Sequence, residues 1–160
     1  MILTVDNSKY LFEKDFKRYV ATRDYHNAFL FCLVNLQSDT YRTIAKNSAH
    51  TLIDKYSYLL FEKYKRVYRF VINKKLDKNW LVNALINQGI NDMETASMSI
   101  GYTNVFNRIN CYHFENFFSS CSIGMVQNGN SSTIYYDFSF FRNNHDIAKA
   151  VCKEIIKLYL

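Results

Sequence analysis

The chain contains no proline. Helices can therefore run without the breaks a pyrrolidine ring imposes, and turns must rely on Gly, Asn, Asp and Ser. Glycine is scarce too, with four residues in 160. The glycines at 89, 101, 124 and 129 form neither a Walker loop nor a dinucleotide-binding fingerprint, so the common phosphate cradles are excluded. GxSxG and HExxH are also missing, which removes the serine-hydrolase and zinc-protease patterns built on them. Cys32, Cys111, Cys121 and Cys152 lie far apart, with no CxxC pair. Cys111-x-His113 with Cys121 matches no common zinc module, since such modules bring their ligands in close pairs. No metal and no cofactor is expected. No apolar run approaches the roughly 20 residues a membrane span needs. Residues 1–5 are too short for a signal core and lack a basic leader. The cysteines are expected to be reduced and mostly buried, in a cytoplasmic protein of a host or bacterial cytosol.

Hydrophobic residues make up 49% of the chain, enough for a packed core rather than a disordered one. Phe and Tyr, 13 of each, supply almost all the aromatics, so many tyrosines must be half-buried with the hydroxyl at the surface. The length suits one domain over 1–160. The net charge of +6 favours an acidic partner. A composition heavy in Asn, Lys, Ile and Tyr points to an AT-rich genome, such as that of a virus, phage or low-GC bacterium.

Apolar spacing predicts helices along most of the chain. Tyr10, Leu11, Phe12, Phe16, Tyr19 and Val20 form the stripe of a first helix, capped by Asp6 or Ser8. A second helix over 24–37 is apolar nearly all round between 28 and 36, which marks it as central. Tyr41, Ala45, Ala49, Leu52, Tyr56, Leu59, Leu60, Tyr64, Val67 and Val71 recur at steps of three and four, and read as one long helix over 39–75. A helix from Trp80 with Asp77 as cap closes at Gly89, a short one opens at Asn91, and another covers 104–120, where strand is the alternative. Asn143 or Asn144 caps the last helix, whose stripe is Ile147, Ala148, Val151, Cys152, Ile155 and Tyr159.

One region has the other period. Asn128-Gly129-Asn130-Ser131 separates two β-prone runs, the strongest short-range signal for a hairpin, here over about 122–141. Residues 2–5 are a candidate third strand. The expected fold is mainly α: a single-domain bundle of five to six helices with a small antiparallel hairpin before the C-terminal helix.

Two constellations could carry function. The long helix ends in a basic, tyrosine-rich face: Lys63, Tyr64, Lys65, Arg66, Tyr68, Arg69, Lys74, Lys75 and Lys78. Cations suit phosphate oxygens and aromatic rings suit unstacked bases, so this face fits single-stranded nucleic acid or an acidic protein. The same cations would also complement a helix C-terminus. The second constellation is Arg142 with His145. A histidine can move the proton of a 2′-hydroxyl, and an arginine can neutralise charge developing on the phosphate. Arg142-Asn143 resembles the opening of the signature of the small helical HEPN ribonucleases, in which a His follows four to six residues after the Arg. Here His145 comes earlier, and Lys149 stands nearer the expected place. The resemblance implies a metal-independent endoribonuclease. The routine role of this segment is a capping turn, with Asp146 on the helix dipole.

Three functional classes follow. The first is a non-enzymatic binding module, an accessory or inhibitor protein of a virus, phage or mobile element, acting through its Lys/Arg/Tyr face. The second is the HEPN-like ribonuclease using Arg142 and His145. The third is a structural subunit that self-associates into a homo-oligomer through its surplus Phe and Tyr.

Overall fold

The computed structural model describes residues 7–100, 108–115, 120–138 and 145–160. Within them the chain forms five helices and a six-stranded antiparallel sheet, an α+β fold instead of the expected helical bundle with a small hairpin. It divides into two compact units, Met1–Leu60 with Cys152–Leu160, and Phe61–Val151.

The first unit holds α1 (Ser8–Ala21), α2 (Tyr25–Asn35) and α3 (Arg42–Tyr56). The Asp24 carboxylate caps α2, accepting from the backbone N–H of Asn27 at 3.3 Å. As its all-round apolarity predicts, α2 is central: Ala28, Phe29, Cys32 and Leu33 are buried completely. Phe12 of α1 stacks on Phe31 at 5.0 Å, and Tyr25 stacks on Tyr56 of α3 at 3.7 Å.

The long helix expected over 39–75 stops at Tyr56. Ser57 turns into the left-handed region, with φ 42°, and a 3-10 turn (Ser57–Leu60) follows. His26 Nδ1 lies 2.8 Å from the Leu60 carbonyl oxygen and ties that turn to α2. The next residues are strands: β1 (Glu62–Tyr64) and β2 (Val67–Ile72). Val67-Tyr68-Arg69-Phe70-Val71-Ile72 is β-branched and aromatic almost throughout, and such residues pack best on a pleated surface. Phe70 and Ile72 are buried while Val71 between them is exposed, the period of a strand.

The second unit is built on the sheet, in the order β1-β2-β6-β5-β4-β3. β5 (Ser120–Asn128) and β6 (Ser131–Phe138) form the Asn-Gly hairpin, with Gly129 in the left-handed region at φ 61°. This hairpin is the middle of the sheet, not an appendage. The expected short helix from Asn91 is instead β3 (Glu94–Ser99), and the helix expected over 104–120 is instead β4 (Arg108–Glu115) leading towards β5. β3 pairs with β4 along its whole length, from Glu94↔His113 to Ser99↔Arg108. Long-range pairing of this kind overrides weak local helical spacing. α4 (Trp80–Asn87) keeps its expected place, buries Leu81 and Leu85, and ends before Gly89 at φ 79°. α5 (Asp146–Lys157) begins in this unit, and the chain returns to the first unit at Cys152. The expected cap at Asn143 or Asn144, and the candidate strand over 2–5, lie outside the described residues.

Phe70, Ile72, Ile123, Ile134 and Tyr136 share one face of the sheet and are buried completely. On the other face Val67, Met98, Cys111 and Tyr135 form a second buried cluster. Gly124 lies opposite both Cys111 and Tyr135. A Cβ there would stand 2.7 Å from Ile109 Cδ1 and 3.0 Å from Cys111 Cβ, so glycine is what lets β5 seat against β4.

Candidate functional site

The basic, tyrosine-rich segment is a β-hairpin at one edge of the sheet, not the end of a helix. Glu62↔Arg69, Lys63↔Tyr68 and Tyr64↔Val67 pair across it, which leaves Lys65 and Arg66 as the connecting turn. Lys65 takes φ 54°. A non-glycine residue in that conformation costs roughly 1–2 kcal/mol, so the turn carries strain that a glycine would relieve. Both turn residues are exposed.

Around the turn, cations lie on tyrosine rings. The Arg69 guanidinium sits 4.0 Å above the Tyr64 ring, and its Nε donates to Glu62 Oε2 at 3.3 Å. Lys65 Nζ is 5.3 Å from the centre of the same ring. Lys63 Nζ stands 5.8 Å above Tyr68, whose ring stacks on Phe138 at 5.5 Å. Since neighbouring residues of a strand face opposite ways, Lys63 serves one face of the hairpin and Tyr64 with Arg69 the other. Each cation–π contact at such a site contributes about 0.5–1 kcal/mol, enough to bias side-chain positions without neutralising the charge. Next to Arg69, burial pushes the Tyr135 phenol above its usual range, against the pull of the guanidinium.

The rest of the expected face is elsewhere. β2, about 20 Å long at six residues, separates Lys74 and Lys75 from the turn. There the buried Ser132 hydroxyl accepts from Leu76 N–H and donates to the Lys74 carbonyl oxygen, both at 2.9 Å. Gln127 Nε2 donates to the Leu76 carbonyl oxygen, so the segment after β2 is fastened to the central hairpin. Lys78 lines a separate cleft of about 230 Å³.

Of the expected catalytic pair, Arg142 lies outside the described residues. His145 immediately precedes α5 and its carbonyl accepts from Lys149 N–H at 2.9 Å, the capping role. Its side chain is only 8% exposed and meets Phe138 edge-on at 4.9 Å. Burial lowers its pKa, helped by Lys149 and opposed by Asp146, so the ring is neutral at pH 7.

Sequence reading missed a polar row between β4 and β5. His113 Nδ1 lies 2.9 Å from Ser122 Oγ, and His113 Nε2 lies 3.8 Å from Glu115 Oε2. A helix over 104–120 hid this cross-strand pair; only the alternation of Cys111, His113 and Glu115 along one strand face could have revealed it. Among the described residues no group of three or more His, Cys, Asp or Glu side chains could hold a metal ion. Burial pushes the Cys32 thiol up to about 12 and Cys121 up to about 11, and it raises Cys152 as well. These sulfurs are thiols at neutral pH, hence poor nucleophiles. No described helix is long and apolar enough to cross a membrane.

Compared with protein-family models, curated proteins and solved structures, the chain shows no significant match to any of them.

Proposed function

We propose that the protein is a non-enzymatic binding module that holds the phosphate backbone of a nucleic acid with the β1–β2 hairpin. The observation that carries this reading is the turn itself. Lys65 occupies a strained left-handed position, next to an exposed Arg66, with Lys63 on the flanking strand. A turn selected for stability alone would place Gly or Asn there. Cations on both faces and at the tip of a narrow hairpin can meet phosphates from several directions. The tyrosine rings act mainly as rests that hold the cations. The ribonuclease reading depends on Arg142, outside the described residues, and on a buried His145, so no described geometry supports it.

The test is the affinity of the intact chain for a fluorescent single-stranded RNA at low salt, compared with Lys65→Glu/Arg66→Glu. The double variant should bind about tenfold or more weakly, because two attractive charges become repulsive. Equal binding by variant and wild type, or no binding by a folded wild type, overturns the reading.

A further inference from the structure

The opposite edge of the sheet carries a different feature. β3 is the last strand of the order, and its ladder to β4 is continuous over six residues. Glu94, Thr95, Ala96 and Ser97 are all exposed. The strand contains no Lys, Arg or Pro, the residues that usually blunt an edge against strand addition. On one face of the sheet lies the cleft of about 230 Å³, lined by Thr95 of β3, Asn110 and Tyr112 of β4, Met125 of β5 and Leu81 of α4. Its walls are about equally polar and apolar, and Lys78 is the one charged side chain among its described lining residues. An edge strand with a cleft alongside is the geometry for strand addition: main-chain hydrogen bonds supply affinity, and alternate side chains enter the cleft.

We infer that β3 and this cleft form a docking groove for an extended segment of a partner protein, added as a seventh strand, which places an apolar side chain in the cleft and a carboxylate against Lys78. A second copy of this chain does not meet those requirements. Antiparallel pairing of β3 with itself keeps the faces of the two strands aligned. The cleft face would then receive only Thr95, Ser97 and Ser99 of the second strand, none of them apolar or acidic, while Glu94 points to the opposite face. The chain's net charge of +6 also favours an acidic segment over its own. This groove is independent of the basic hairpin and of the function proposed for it.

The experiment selects short random peptides on the intact chain and measures the enriched ones by fluorescence anisotropy. The enriched peptides should share an apolar residue and an acidic residue at fixed spacing. N-methylation of alternate backbone amides should weaken binding about tenfold or more in one alternation and spare it in the other, since only every second amide faces β3. Lys78→Glu should remove the acidic preference. The inference is overturned if no peptide is enriched, if binding ignores N-methylation in both alternations, or if the acidic preference survives Lys78→Glu. It is also overturned if light scattering shows a dimer that Thr95→Lys dissociates, because a second copy then occupies the edge.

Discussion

The two edges of the sheet are built by opposite rules. At β1 the strand is three residues long; it contains Lys63, pairs Glu62 with Arg69 of β2, and is followed by Lys65. At β3 the strand is six residues long and its exposed part carries one charge, Glu94. A short, charged edge resists pairing with another strand, while a long, nearly uncharged one invites it. The difference teaches that the charges on β1 suit an edge that resists strand pairing, and that the proposed binding role would use the same residues. Among the described residues β3 carries no such charges, and different partners are therefore proposed for the two edges.

Four expected outcomes break or sharpen this comparison. The largest concerns the frame that both edges share. Phe70 is completely buried in β2 and packs against Phe61, with ring centres 5.9 Å apart. Phe70→Ala should cost about 3–5 kcal/mol in urea unfolding and remove binding at both edges together. Retention of either activity without a folded sheet would show that the edges do not depend on it.

A smaller and asymmetric effect is expected from Gly124→Ala. The new methyl meets Cys111 Cβ at 3.0 Å and the Asn110 carbonyl oxygen at 3.1 Å, neither of which can swing away. It should cost about 1–3 kcal/mol and disturb β4, hence the β3 groove, more than the hairpin. In the folded fraction RNA affinity should stay near wild type while peptide affinity falls. Equal loss at both would blur the distinction.

The fold was legible where structure is local. α1, α2, α3 (the first half of the helix expected over 39–75), α4 and α5 follow their apolar spacing, and Asn128-Gly129 marked the central hairpin. The caps were not legible: Asn7 stands at the N-cap of α1 and Asn79 at that of α4, neither with a side-chain cap bond, in place of the expected Asp6 or Ser8 and Asp77. The sheet was largely illegible for two physical reasons. Tyr64, Val67 and Val71 recur at helical steps while the same segment also satisfies strand alternation, so period alone could not decide. The turn at Lys65-Arg66 contains none of the Gly, Asn or Pro that signal a hairpin, and the pairings of β2 with β6 and of β3 with β4 are set by distant residues. The residue types of the site were readable, since basic and tyrosine residues cluster in sequence. Their arrangement was not: a helix would have put Lys74, Lys75 and Lys78 beside Arg66, and the strand carries them away from it.

Lys65→Gly separates stability from function at the β1 edge. Glycine adopts φ 54° without strain, so the variant should gain up to about 1 kcal/mol in unfolding while binding RNA severalfold more weakly. A variant that is less stable would show that the lysine contributes packing rather than strain.

The smallest expected effect is a pH dependence. The pKa of His145 is lowered by burial, so the unfolded chain binds its proton more readily than the folded one. Its contribution is complete above the unfolded value of about 6.5 and is lost as pH falls below it. Asp137, raised by burial, works the other way at more acidic pH. The unfolding free energy should therefore decline between about pH 7 and pH 5, and His145→Phe should flatten that decline. An unchanged slope in the variant would assign the dependence to other groups.

The central claim is that Lys63, Lys65 and Arg66 engage nucleic-acid phosphates. It is tested most directly by the salt dependence of affinity for a single-stranded RNA. Three phosphate contacts predict that log Kd rises with log salt at a slope of about 2, falling to below about 1 in Lys65→Glu/Arg66→Glu. A slope near zero, or one that the double variant leaves unchanged, contradicts the account.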